Sequence, residues 1–136
     1  MRSRGFTLIE LMLVIIIIGA LAAMVVPRLA GRSEEARAGA AKADINGNLS
    51  LALRLYEVDN GRYPSTEQGL AALMAQPSAP PAPVNWKGPY IEREPLDPWG
   101  HAYIYKYPGG HPPRDYDLSS LGADGTESED DINNWK

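Results

Sequence analysis

The residues best equipped for chemistry lie near the two ends of this 136-residue chain. Near the start, Glu10 stands inside an apolar run, Phe6-Thr-Leu-Ile-Glu-Leu-Met-Leu-Val-Ile-Ile-Ile-Ile-Gly-Ala-Leu-Ala-Ala-Met-Val-Val26. A charge in lipid costs on the order of 3 kcal/mol and calls for a partner. No Lys, Arg or His occurs between Arg4 and Arg28. The expected partner is therefore another molecule or a terminal amine, unless Glu10 is protonated or sits close enough to the membrane surface to reach water.

At the other end, Asp124, Glu127, Glu129, Asp130 and Asp131 crowd into residues 124–131. A solvated acidic tail is one reading, and a cation site is the other. Carboxylates this close repel one another unless a cation lies between them. Leu121 and Ile132 bracket the cluster, Trp135 follows it, and Gly122 and Gly125 permit tight turns that aim main-chain carbonyls inward. Hard oxygen donors with no Cys and no neighbouring His suit Ca²⁺, which takes about six to eight oxygens. The Asp-x-Asp-x-Asp-Gly pattern of an EF-hand is absent.

No constellation for catalysis is found. His101 and His111 have no partner at a recognisable spacing and read as solvated loop residues. There is no phosphate-cradling glycine loop, nucleophile elbow or zinc-ligand spacing. The expectation is a chain that is not an enzyme.

The elements that position these groups follow from patterning. The apolar run over residues 6–26 is long enough to cross a hydrocarbon core of about 30 Å as a helix. Arg2 and Arg4 precede it and no basic residue follows before Arg28, which sets the N-terminus in the cytoplasm and the rest across the membrane. A cleaved secretory signal ending at Ala20-Leu21-Ala22 is the alternative, but it leaves Glu10 unexplained. Pro27 removes one helical hydrogen bond. Residues 28–58 nevertheless favour helix, and Ala41, Ile45, Leu49, Ala52, Leu53 and Tyr56 form one apolar stripe at spacings of three and four. Asn60-Gly61 is a helix stop. One helix over residues 6–59 would measure about 80 Å.

After it, Ser65 or Thr66 is placed to cap a short helix over residues 67–75. Residues 76–83 form a proline-rich connector. Strands are expected at residues 85–91, 101–107 and 116–119, because Tyr103, Tyr105 and Tyr107 alternate with Ile104 and Lys106. The fold class is thus α+β: a long N-terminal α-helix, membrane-spanning then amphipathic, packed on a small antiparallel sheet head.

Arg4-Gly-Phe-Thr-Leu-Ile-Glu10 before an unbroken apolar run resembles the class III signal of type IV pilin-like proteins. The stretches Asp59-Asn-Gly-Arg-Tyr-Pro-Ser-Thr-Glu-Gln-Gly-Leu70, Gly88-Pro-Tyr-Ile91, Asp97-Pro-Trp-Gly100 and Asp130-Asp-Ile-Asn-Asn-Trp135 resemble, in order, the major pseudopilins of type II secretion systems. The resemblance implies a leader, residues 1–5, cut after Gly5 by a prepilin peptidase, with Phe6 N-methylated. It implies that Glu10 meets the Phe6 amine of a neighbouring subunit during assembly. It also implies a Ca²⁺ site with side-chain oxygens from Asp124, Asp130 and Asp131 and backbone oxygens from Leu121, Thr126 and Ser128.

On this reading residues 6–27 are the membrane and assembly half of the helix, residues 28–60 its amphipathic half, and residues 61–136 a periplasmic head. The resemblance implies a single-pass inner-membrane protein that polymerises into a periplasmic filament exporting folded proteins across the outer membrane. Its implied partners are copies of itself, minor pseudopilins and an inner-membrane assembly platform. Alternatives are a type IV or DNA-uptake pilin, which usually carries a C-terminal Cys pair, and a monomeric membrane-anchored calcium-binding module. This chain has no Cys. Its net charge is −4, or −6 without residues 1–5, which argues against a nucleic-acid surface. Without disulfides, a head this small must be held by packing on the helix, by a metal or by assembly.

Overall fold

The computed structural model describes residues 5–136. Arg2, Arg4 and most of the expected leader lie outside the described residues. The chain divides into two compact units, Met1–Ala36 and Arg37–Lys136.

The first unit is helical. Helix α1, Leu8–Ala43, begins here and continues through Pro27 without a break. The described side chains of residues 6–26 are all exposed, and the helical run Leu8–Asn60 is long and apolar enough to cross a membrane. Among the described residues nothing in this unit covers that surface: Ile15, Ile16, Ile18, Leu21 and Met24 are each at least 59% exposed.

The second unit holds the core. The end of α1 passes through a π turn, Asp44–Asn48, into α2, Leu49–Asn60, which stops at Gly61 in the left-handed conformation, φ 75°. The predicted stripe is the buried one: Ala41, Ile45, Leu49, Ala52, Leu53 and Tyr56 are all at most 3% exposed. The π turn puts the Ser50 hydroxyl within 3.0 Å of the Ile45 carbonyl and 2.7 Å of the Tyr116 hydroxyl, tying the helix to the head.

Strands β1, Ile104–Lys106, β2, Asp117–Ser120, and β3, Ile132–Asn133, form an antiparallel sheet in the order β1-β2-β3. Tyr105 pairs with Leu118, and Ser120 with Ile132. Tyr103, Tyr105, Tyr116 and Leu118 pack on the helical stripe. The tyrosine alternation thus sets the buried face of the sheet. Burial pushes the Tyr103 and Tyr105 hydroxyls well above the usual phenol range, with Asp44 adding to the effect at Tyr103. They remain donors, to Asp44 Oδ2 at 3.1 Å and to the Pro64 carbonyl at 2.8 Å.

Three expectations are corrected. The helix over residues 67–75 is only a 3₁₀ turn, Leu70–Leu73, because Gly69 leaves the helical region at φ 58°. Ser65 caps a turn instead: its hydroxyl accepts from Gln68 N while Gln68 Oε1 accepts from Ser65 N. Residues 85–91 are not a strand. Pro89 has no N–H for a ladder, and the segment is held by Trp86 Nε1 donating to the Ala72 carbonyl and Tyr90 N donating to the Leu73 carbonyl. The expected strand over residues 101–107 shrinks to β1, with one bridge, Leu96 to Ala102, before it.

Candidate functional site

Two places carry the groups singled out by sequence, one in each unit. Thr7 and Leu8 begin α1, and Thr7 acts as its N-cap. Glu10 N donates to Thr7 Oγ1 at 3.3 Å, and Glu10 Oε2 accepts from Thr7 N at 2.9 Å and from Thr7 Oγ1 at 2.8 Å. This is a capping box, in which side chains satisfy main-chain donors that open a helix. Beside the expected partners of Glu10 (another molecule, a terminal amine, a proton or interfacial water), Thr7 of the same chain supplies two neutral donors. The pattern Thr7-Leu-Ile-Glu10 carries that signature in the sequence. An ionised carboxylate has about four acceptor sites, so the cap leaves room for a further donor. Gly5 and Phe6, the expected processing pair, directly precede this turn, and a Cβ placed on Gly5 would meet nothing within 4 Å.

The acidic residues lie in the connection between β2 and β3, residues 121–131. Its ends are fixed by the Ser120–Ile132 pair and by Asn134, a buried residue that sequence reasoning missed. Asn134 Nδ2 donates to the Tyr116 carbonyl at 2.9 Å, its Oδ1 accepts from Leu118 N at 3.0 Å, and its N–H donates to the Leu118 carbonyl at 3.0 Å. An Asn in this position completes the ladder beyond two-residue β3.

Within the loop, Gly122 and Gly125 both take positive φ, 66° and 65°. Asp124 accepts from Thr126 N at 3.1 Å and from Thr126 Oγ1 at 2.9 Å. The Thr126 main-chain N–H, then its hydroxyl, hold the Asp124 carboxyl below its ordinary value. Ser128 Oγ donates to Asp130 and lies 3.4 Å from Asp131 Oδ1. Asp130 Oδ2 lies near Gly122 across the loop, 3.8 Å from where a Cβ would stand. The loop thus gathers Asp130 and Asp131 around Ser128 and keeps Asp124 on Thr126. Among the described residues no group of three or more His, Cys, Asp or Glu side chains is drawn together as a metal cage. The donor chemistry nonetheless fits a hard divalent cation: carboxylate and carbonyl oxygens, accessible to solvent, on glycine-hinged main chain.

The reading of both histidines as without partners is also corrected, although both side chains stay partly open to solvent. His111 Nδ1 lies 2.9 Å from Asp117 Oδ2, and the imidazole stacks on Trp135 with centroids 4.2 Å apart. Asp117 also accepts from Gly110 N at 2.9 Å and His111 N at 3.2 Å. Burial pushes the Asp117 carboxyl up, but these hydrogen bonds and the His111 side chain outweigh it and bring the group below its usual value. His101 Nδ1 lies 3.2 Å from the Gly122 carbonyl. The His101–Gly122 contact joins residues 21 apart and leaves no local sequence signal.

Comparison with known proteins matches residues 28–135 to the family model for type II secretion system (T2SS), protein G, and residues 1–26 to that for the prokaryotic N-terminal methylation motif. The chain is 48% identical to type II secretion system core protein G of Pseudomonas aeruginosa, over 98% of this chain and 96% of that one. It is 51% identical to the core protein G of Klebsiella pneumoniae, over 98% and 95%. The crystal structure of the major pseudopilin from the type 2 secretion system of enterohaemorrhagic Escherichia coli superposes with a TM-score of 0.70 at 42% identity, covering 80% of this chain and 95% of that one.

Proposed function

The chain belongs to the type II secretion system protein G family, and we propose that it is the subunit that polymerises into the periplasmic pseudopilus through which such a system exports folded proteins. The observation that carries this reading is the wholly exposed apolar start of α1, headed by a carboxylate. In the inner membrane, lipid covers the apolar surface. In a fibre drawn out of the bilayer, only copies of the same helix can cover it, since leaving one Leu or Ile in water forfeits roughly 1.5–3 kcal/mol.

A prepilin peptidase cutting after Gly5 would leave Phe6 as a methylated amine at the helix N-terminus. A positive charge there opposes the helix dipole. The Glu10 carboxylate of an adjacent subunit offsets it, and because a single axial position satisfies the pair, it sets the stagger between subunits. The minor pseudopilins and an inner-membrane assembly platform are the expected partners of growth. The chain's role is structural, and the energy for polymerisation comes from elsewhere in the system. Expression of the full chain with its secretion apparatus tests this: electron microscopy should find fibres of it, and a chain that stays solitary in the membrane under all conditions overturns the reading.

We also propose that the β2–β3 loop takes Ca²⁺. Asp124, Asp130 and Asp131 would supply side-chain oxygens and Leu121, Thr126 and Ser128 main-chain oxygens. The ion supplies the positive charge that offsets the crowded acids of this loop. Thr126 and Ser128 hold the carboxylates poised meanwhile. Closing the loop this way would serve a chain without cysteines as a disulfide serves others.

A further inference from the structure

We infer that His101 is a positioning residue for the calcium loop, an inference that rests on the calcium reading above. The loop leaves β2 at Ser120, which is fully buried. Ser120 Oγ donates to Asp97 Oδ2 at 2.6 Å and accepts from Gly122 N at 3.1 Å. The Gly122 N–H and the Leu121 carbonyl belong to one planar trans peptide and point in opposite directions. Fixing the N–H on Ser120 therefore aims the Leu121 carbonyl, the first main-chain ligand, away from it.

His101 fixes the next peptide. Its Nδ1 lies 3.2 Å from the Gly122 carbonyl, and since a carbonyl only accepts, that nitrogen carries the proton in this contact. The His101 main chain is itself held, because His101 N donates to Asp97 Oδ1 at 2.8 Å and Asp97 N donates to the His101 carbonyl at 2.8 Å, and its ring Nδ1 lies 3.9 Å from Asp97 Oδ2. Gly125 lies close to the ring: a Cβ there would stand 3.2 Å from Cε1 and 3.3 Å from Nε2. The imidazole thus touches the loop on both sides of Asp124, at Gly122 and at Gly125. Together Asp97, Ser120 and His101 fix two successive peptides, and with them the direction in which the loop presents Leu121 and Asp124. His101 binds no ion in this account; it removes freedom that binding would otherwise have to remove.

The experiment uses the full-length chain in detergent. Calcium affinity is measured by titration calorimetry for the wild type, His101→Ala and His101→Asn, and each is melted in excess chelator. Loss of a residue that orients ligands weakens metal binding by about tenfold or more. His101→Ala should show that loss while melting with the wild type in chelator. His101→Asn, whose amide can still donate to Gly122, should recover most of the affinity. Unchanged affinity in His101→Ala overturns the inference, and so does a melting loss in chelator as large as that in calcium. A wild type that takes up no calcium fails the calcium reading itself and the inference with it.

Discussion

Thr7 and Glu10 hold each other reciprocally at the head of α1, with the Thr7 N–H 2.9 Å from Glu10 Oε2 and the Glu10 N–H 3.3 Å from Thr7 Oγ1. The same carboxylate therefore has a local duty, capping the helix, and a proposed intermolecular one, pairing with a Phe6 amine. Two substitutions separate them. Glu10→Gln keeps an acceptor for the cap and loses the charge. Glu10→Ala loses both. If charge pairing drives assembly, both variants stop forming fibres. If capping alone matters, Glu10→Gln assembles like the wild type. Thr7→Ala should cost about 1 kcal/mol of helix stability, read by the circular dichroism melt, without abolishing assembly.

Processing is testable without disturbing the fold. Among the described residues Gly5 has open space around it, so Gly5→Ser introduces no clash with them. Native protein should give an N-terminal peptide starting at methylated Phe6 by mass spectrometry. Gly5→Ser should accumulate as the uncut form with an unchanged melt of the head. A native N-terminus at any other residue contradicts the leader assignment.

Calcium should stabilise the second unit. At a hundredfold excess over its dissociation constant, a ligand that binds only the folded state raises the melting temperature of a domain this size by on the order of 10 °C. Asp124→Asn and Asp131→Asn should each remove most of that rise and leave the melt in chelator nearly unchanged. Equal midpoints with calcium and with chelator in the wild type would exclude the site.

Asp117 predicts a pH dependence. Its folded-state value lies below its ordinary value of 3.8, so the folded form favours the carboxylate. The stability it contributes is complete above that ordinary value and is lost as pH falls through the folded-state value. Asp117→Asn keeps the shape but loses the charged acceptor for the Gly110 N–H and the His111 ring, and should melt lower at pH 7 by the equivalent of about 2 kcal/mol. The gap between wild type and variant should close in acid, as pH falls through the folded-state value. A gap independent of pH would mean that the loss is one of packing.

Legibility in the sequence followed the range of the interactions. The buried stripe of the helix was legible because six side chains repeat at helical spacing, and its end because Gly61 alone can take φ 75° without strain. The exposed apolar start of α1 was legible from length and composition. The π turn was not, since a shift to i+5 bonding, Leu49 N–H to the Asp44 carbonyl, leaves the stripe almost in register. Strand β3 was not legible because two residues carry no periodicity, and its ladder is completed by the Asn134 side chain. In the candidate sites, Glu10 and the acids were conspicuous by type. The cap on Thr7 was present as a pattern but overshadowed by the membrane context. The hold of His101 on Gly122 joins residues 21 apart and exists only once β1 and β2 have paired.

The most direct measurement is a cryo-electron microscopy map of the assembled fibre at side-chain resolution. The account predicts a chain beginning at Phe6 whose amine lies within about 3 Å of a Glu10 carboxylate on an adjacent subunit, at charge-assisted hydrogen-bond distance. A fibre in which Glu10 contacts only its own Thr7, while the Phe6 amine finds its partner elsewhere, would contradict it.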